Sequence, residues 1–400
     1  MPAPPDDPLA IRITAVETVV VNAEMRNWVL VKVRTDVDGL VGWGEASLNW
    51  KTRAVVGTVE DLATMIVGRD PRDIEQLLRI MTKHSYYRLG IVGTTAISGI
   101  EHALWDILGK SLGQPVWRLL GGRVRDRVRV YTHLGLGDMR SVYETFDATA
   151  IKEKAAAVVE KGYDALKVVF VPYGHHLTVA RERRQVDELM AALRDGVGPD
   201  VDIMVDFHGR PASPAAALQY IEVLEPYDPL FCEEPVAPGD TEALRWVSEH
   251  TSVPLATGER LVGLREFLPV LASKAIAVAQ PDLNHTGGLL EGKRIAALAD
   301  VEQVGIAPHN PNGPIAGAAA LHYAVSTPNF VIQEEMSGAV SWYDDVVSTP
   351  MTREGSHWLV PEAPGLGVEV DEAEAAKHPY EPEIPQSSAA VLPDGTVVDW

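Results

Sequence analysis

Apolar and polar positions change rhythm along the chain. From Ile13, the segments ITAVETVVV and WVLVKVRTDVDGLVGWGEA read as β-strands, the second pair turning at Asp38-Gly39, and predict an antiparallel sheet. The pattern then moves to apolar residues three and four apart in VGTVEDLATMIV, DIEQLLRIMTKH and TTAISGIEHALWDILGKSLG, the last ending at Gly113-Gln114-Pro115. Residues 1–125 therefore read as a separate α+β domain with its boundary near Gly121-Gly122-Arg123. From Val128 short apolar runs alternate with amphipathic helices such as TAIKEKAAAVVEKG and PAAALQYIEVLEP. The runs are VRVYTHL, ALKVVF, DIMVDFH, PLFCEEP, PLATGE, AVAQPDL, GIAPHN and NFVIQEE. Eight such units across 126–360 predict a (β/α)₈-type barrel rather than a doubly wound sheet, because no glycine-rich dinucleotide fingerprint opens the series. The tail, 361–400, is too short to fold alone and is expected to pack back on the N-terminal domain.

Composition narrows the function. With 46% hydrophobic residues, the 400-residue chain can bury a large core and a smaller second one. A formal charge of -21 argues against nucleic acid and anionic membrane surfaces as partners. An acidic protein still binds an anionic substrate where a metal supplies local positive charge. The single cysteine, Cys232, excludes an intrachain disulfide framework and reads as a packed core thiol. MPAPPDDPLA shows no basic-then-apolar leader, and no run is long enough to span a bilayer, so a soluble, cytoplasmic protein is expected.

Active sites of barrels lie at the C-terminal ends of the strands, and here those ends carry Lys167, Asp206 with His208, Glu233, Glu259, Asp282, His309 and Glu334. Asp206, Glu233 and Glu259 each follow an apolar run about one βα unit apart, which describes a three-carboxylate site for Mg²⁺ or a similar cation. The plainer alternative is three helix caps or surface acids, but caps would not all sit directly on apolar strands. His208, two residues after Asp206, is expected on the same side of its strand, as a fourth ligand, a general acid or a satisfied core residue. Asp282 and His309 end neighbouring strands, either as a carboxylate orienting a basic imidazole or as a structural pair. Glu334 is either a hydrogen-bonding partner of a substrate carboxylate, if protonated, or a solvated rim residue. Lys167 and Arg210 are placed to meet an anionic substrate. Arg26, Asn27, Trp28, Asn49, Trp50, Lys51 and the stretch Tyr86 to Arg88 are candidate specificity residues in capping loops, with plain surface or core as the alternative. His175 and His176 read as solvated, and His285 as a turn into a helix.

GLVGWGEA, TTAISGIEHALWDI, PVWRLLGG, DFHGR, FCEEPV, GER, QPDLNHTGG, APHNPNGP, IQEE and PGLGVEVDE together carry a resemblance over nearly the whole chain. It resembles the mandelate racemase-like branch of the enolase superfamily, and within it the D-galactonate dehydratase family. The resemblance implies a modified (β/α)₇β TIM barrel under an N-terminal α+β capping domain, and an essential Mg²⁺. It makes Asp206, Glu233 and Glu259 the metal ligands, with Glu233 rather than Glu234 facing the metal. It makes His208 the general acid, His309 the general base oriented by Asp282, and Glu334 a stabiliser of the enolate. Lys167, Arg210 and Trp50 are the expected substrate-binding residues. One departure matters: many relatives carry a Lys-x-Lys pair on strand two, whereas this chain reads Lys167-Val168-Val169. A valine takes no proton, which weakens epimerisation and favours β-elimination. The expected partner is a sugar acid, D-galactonate first, with mannonate and gluconate open because the tail from AAKHPYEP through DGTVVDW follows mannonate-dehydratase-like relatives. Assembly as a homo-oligomer is expected. The rival readings are cycloisomerisation or epimerisation of a related acid, and a non-catalytic sugar-acid-binding relative.

Overall fold

The computed structural model describes residues 11–383, 385 and 390–400. Strands β1 (Ile13–Asn22), β2 (Asn27–Thr35) and β3 (Val41–Glu45) form an antiparallel sheet in the order β1-β2-β3. Helices α1 (Thr52–Ile66), α2 (Ile74–Lys83) and α3 (Gly90–Leu112) cover it, and a short α4 (Val116–Leu119) leads out. Their own core joins Val29, Val31 and Val33 of β2 to Ile100, Ala103 and Leu104 of α3. The sheet presses on α3 so closely that a Cβ at Gly44 would lie 1.9 Å from the Gly99 carbonyl oxygen. That close approach is why GWGEA and SGIEHALWD need glycine at both contact points.

The second unit begins with β4 (Arg127–His133), a short α5 (Met139–Glu144) and α6 (Ala148–Glu160). It continues through β5 (Ala165–Val168), α7 (Ala180–Val197), β6 (Asp202–Asp206), α8 (Pro214–Leu224), β7 (Phe231–Glu233) and α9 (Thr241–Ser248). Then follow β8 (Leu255–Thr257), α10 (Gly263–Ala272), β9 (Val278–Ala279), α11 (Leu289–Val301), β10 (Gly305–Ile306), α12 (Pro314–Ser326) and β11 (Gln333–Glu334). Neighbours from β4 to β10 pair in parallel, and β11 returns to pair in parallel with β4, closing a barrel of eight strands. No helix separates β11 from the hairpin β12 (Arg353–Glu354) and β13 (His357–Leu359), so the architecture is the (β/α)₇β variant.

The barrel interior explains where the polar residues go. A buried apolar layer takes one residue from each strand or its edge, from Tyr131 and Ala165 round to Ala307 and Ile332. Side chains along a strand share a face every second residue. Two positions beyond Tyr131, Ala165, Met204, Phe231, Ala307 and Ile332 stand His133, Lys167, Asp206, Glu233, His309 and Glu334. The apolar layer is thus the floor of a polar chamber.

Buried acids of the first unit fasten it over that chamber. Glu45 accepts from the backbone N–H groups of Gly313 (2.7 Å) and Ala316 (2.9 Å) at the start of α12. Glu101 accepts from Leu289 and Leu290 (both 2.9 Å) at the start of α11. Each carboxylate satisfies otherwise orphaned donors at a positive helix end. The tail joins the same seam: Asp106 accepts from Leu366 N–H (2.8 Å), and a last short helix, α13 (Glu372–Ala375), leads to His378, whose carbonyl accepts from Asn22 N–H (2.8 Å).

Candidate active site

The chamber is a cavity of about 340 Å³ at the C-terminal ends of the strands, roofed by the loop after β3 and by the last residues of the chain. That volume suits a small acid rather than a dinucleotide. Just above the apolar floor Asp206, Glu233 and Glu259 each offer a carboxylate oxygen, all within 4.8 Å of one another. Glu259 Oε2 is buried and has no hydrogen-bond partner. Burial pushes the Glu259 carboxyl well above its ordinary range, the charges of Glu234, Asp206 and Glu233 adding to the effect and His309 opposing it. Converging hard oxygens with an unsatisfied buried member are what a divalent cation requires, so the residues fit Mg²⁺. Glu234 is not part of the triangle: its backbone turns left-handed (φ 43°) and its carboxylate pairs with Arg260.

Lys167 is the cation present among these acids. Its Nζ lies 3.0 Å from both Glu233 oxygens, 3.1 Å from Glu334 Oε1 and 3.7 Å from Asp206 Oδ2, with 2% of the side chain exposed. Burial lowers its pKa, but the surrounding anions outweigh that and hold the ammonium well above its usual value. Glu334 is buried, which removes the solvated-rim alternative. It receives His133 Nε2 (2.8 Å) and Asn310 N–H (2.6 Å) besides Lys167. Burial raises its pKa, yet Lys167 and His309 together hold it well below the carboxylate range, so the expected protonated donor is an ionised acceptor here.

His309 Nδ1 lies 2.7 Å from Asp282 Oδ2, and its Nε2 points at Glu259 Oε2, 3.5 Å away. Asp282 Oδ1 accepts from Asn284 N–H (2.7 Å), which fixes the carboxylate plane. Burial lowers the His309 pKa, but Glu259, Glu334 and Asp282 outweigh it and raise the ring to about 10.

His208 departs from the strand alternation expected for it. Strand β6 ends at Asp206, and His208 sits in a left-handed turn (φ 52°) that swings its ring back, placing Nε2 3.0 Å from Asp206 Oδ2. It still lines the cavity, against Tyr143 (5.9 Å between ring centroids) and Trp400 (4.9 Å).

Arg210 needs correction. The His208-Gly209 turn carries it out of the chamber, its Nη1 donating to Val171 O (2.8 Å) and its guanidinium lying over Tyr173, 4.6 Å from the ring centre. It does not line the cavity. Trp50 does, with Arg26 and Asn49, whereas Asn27 is spent on the tail at Glu381 O (2.9 Å) and Trp28 packs edge-on to Tyr343. Lys51, Tyr86, Tyr87 and Arg88 are not in the cavity wall, and His175 and His176 are exposed. His285, expected only to turn the chain, is buried in that wall.

Several wall residues escaped the sequence reading. His133 carries the same signal as Lys167, a polar residue ending an apolar strand two places past the barrel floor. Tyr143, Asp399 and Trp400 carry none, since they arrive on the short helix α5 and on the tail.

The N-terminal domain model of mandelate racemase / muconate lactonizing enzyme matches residues 5–121, and the enolase C-terminal domain-like model matches residues 150–374. The chain belongs to the mandelate racemase/muconate lactonizing enzyme family of the enolase superfamily. Among its relatives, D-galactonate dehydratase of Cronobacter sakazakii is 36% identical over 93% of this chain and 96% of that protein. D-galactonate dehydratase of Xanthomonas oryzae pv. oryzae is 38% identical with the same coverage. A crystal structure of a mandelate racemase/muconate lactonizing enzyme from Jannaschia sp. CCS1 superposes with a TM-score of 0.85 at 35% identity, covering 92% of this chain and 98% of that one. A member of the enolase superfamily from Salmonella Typhimurium gives 0.85 at 31%, with 92% and 98% covered. No helix among the described residues is long and apolar enough to cross a membrane.

Proposed function

We propose that this enzyme, a hydro-lyase of the enolase superfamily, dehydrates an aldonate, D-galactonate first, to a 2-keto-3-deoxy acid. The observation that carries the reading is the His309–Asp282 couple facing the three-carboxylate triangle across one small chamber, with Val169 where a second lysine would make a two-base site. Asp206, Glu233 and Glu259 would hold Mg²⁺, which when bound offsets the negative charge that develops on the substrate carboxylate as C2 is deprotonated. With the charge of Glu259, the largest contribution raising the His309 ring, offset in the metal-bound site, His309 Nε2 is free to take the C2 proton, and Asp282 holds the ring with the other nitrogen protonated and stabilises the imidazolium formed. Lys167 supplies fixed positive charge beside Glu233 and Glu334, at the end of the chamber where a substrate carboxylate belongs. His208 delivers its proton to the C3 hydroxyl as the C3–O bond breaks and water leaves. The enol then becomes the 2-keto acid by proton transfer to C3.

The test is proton NMR of D-galactonate, D-gluconate and D-mannonate incubated with the protein and Mg²⁺ in D₂O, with His309→Asn as control. A 2-keto-3-deoxy product from one acid, absent in the control, supports the reading. Exchange at C2 without elimination moves the reaction to epimerisation, and no change with any acid refutes it.

A further inference from the structure

Asp282 has a second histidine beside it, which the reaction above does not use. His285 stands in the cavity wall with Nε2 3.4 Å from Asp282 Oδ2, and its other nitrogen meets the capping unit: Thr95 Oγ1, on α3, lies 3.0 Å from His285 Nδ1. The direction of that bond can be deduced. A threonine hydroxyl has one proton, and Thr95 gives it to the Ile91 carbonyl one turn back, at 2.7 Å. Thr95 Oγ1 therefore accepts, and His285 Nδ1 carries the hydrogen. Burial holds the ring below its ordinary pKa against the opposing charge of Asp282, so it is neutral near pH 7 and its Nε2 presents a bare lone pair.

A lone pair and a carboxylate oxygen cannot bond each other. Asp282 Oδ2 has its donors, His309 at 2.7 Å and the Asn312 side chain at 3.3 Å. The other described neighbours of the His285 ring, Asp282 Oδ2 at 3.4 Å and the Asn284 backbone, supply no donor to Nε2. The donor it lacks must come from the cavity, from a position next to the atom that His309 attacks. We propose that His285 is a hydroxyl-binding residue of the substrate site: its Nε2, aimed by Thr95 of the cap, accepts a hydrogen bond from a hydroxyl of the bound sugar acid close to C2. Thr95 is the positioning residue, and the capping helix thereby sets a hydrogen-bond acceptor inside the barrel. This rests on the aldonate reading and adds a polarity requirement to it: the wall near His309 selects an acid with a hydroxyl there over a deoxy one.

Binding and turnover are measured together. Aldonate affinity in the presence of Mg²⁺ is read from the fluorescence of Trp50 and Trp400, which line the cavity, and kcat and KM from product formation. The proteins are the wild type, His285→Phe, His285→Gln, Thr95→Val and Thr95→Ser. Loss of one buried hydrogen bond is expected to weaken aldonate binding and raise KM about tenfold in His285→Phe. His285→Gln, whose amide oxygen reaches the Nε2 position, should recover most of it. Thr95→Val should lose several-fold and Thr95→Ser should not, with Mg²⁺ affinity unchanged in all four. His285→Phe binding and turning over the acid within twofold of wild type overturns the inference, as does loss in Thr95→Ser equal to that in Thr95→Val. A wild type that binds an aldonate without converting it defeats the dehydration reading while the binding ratios still decide on His285. A wild type that binds none of the three aldonates defeats both.

Discussion

Replacing Lys167 by methionine separates the charge balance of the site from its chemistry. The ammonium touches Glu233 at 3.0 Å, Glu334 at 3.1 Å and Asp206 at 3.7 Å, all buried. At an effective dielectric constant of about 20, each contact is worth about 5 kcal/mol of attraction, most of which the desolvation of the ions cancels. What remains when one partner of such a buried set is removed is a loss of about 3–5 kcal/mol. For a chain of 400 residues, with an unfolding entropy of about 0.8 kcal/mol/K, that loss lowers the melting temperature by about 4–6 °C without metal. Asp206 and Glu233 are also proposed Mg²⁺ ligands, so saturating Mg²⁺ should close at least half of the gap. If the two gaps differ by about 2 kcal/mol, the thermodynamic cycle requires about thirtyfold tighter Mg²⁺ binding by the variant. Thermal unfolding of wild type and Lys167→Met, each with EDTA and with Mg²⁺, reads both gaps, and calorimetric titration reads the affinity. A metal-free variant melting within 1 °C of wild type, or a gap that Mg²⁺ leaves unchanged, would falsify the charge-compensation argument.

Three other outcomes follow from the geometry. Asp282→Asn keeps the shape but loses the charge-assisted bond to His309, and should lower C2 exchange and dehydration together by about 10–100-fold; NMR in D₂O checks this, and unimpaired exchange would remove Asp282 from the base. Burial and the neighbouring Asp206 raise the Glu233 carboxyl to about 7 against the pull of Lys167. The metal-free site therefore holds a proton at pH 6 that it has largely lost at pH 8, so Mg²⁺ binding should release protons at pH 6, release fewer at pH 8, and weaken as pH falls. Calorimetry in two buffers of different protonation enthalpy counts them, and equal release at both pH values would contradict the assignment. Trp400→Ala frees the His208 ring on one side while leaving His309 untouched; elimination should fall about fivefold or more with C2 exchange retained, and parallel loss of both would show that Trp400 serves the cavity generally rather than His208.

Much of this was legible in the sequence because a barrel strand writes its chemistry locally. Alternation along a strand is a property of the backbone, so an apolar run ending in Asp206, Glu233 or Glu334 already implies a polar group just above a packed floor. The capping sheet was equally plain, since its turn at Asp38-Gly39 and its strand patterns are short-range. Tertiary structure decided what depends on contacts between distant segments. A left-handed turn at His208 and Gly209 turned Arg210 out of the site, against its nearness in sequence to Asp206. Thr95 meets His285 across 190 positions, and Trp400 reaches His208 from the end of the chain. Period and propensity record only which way a residue faces its own neighbours, whereas these partners were chosen by the docking of the cap and tail onto the barrel.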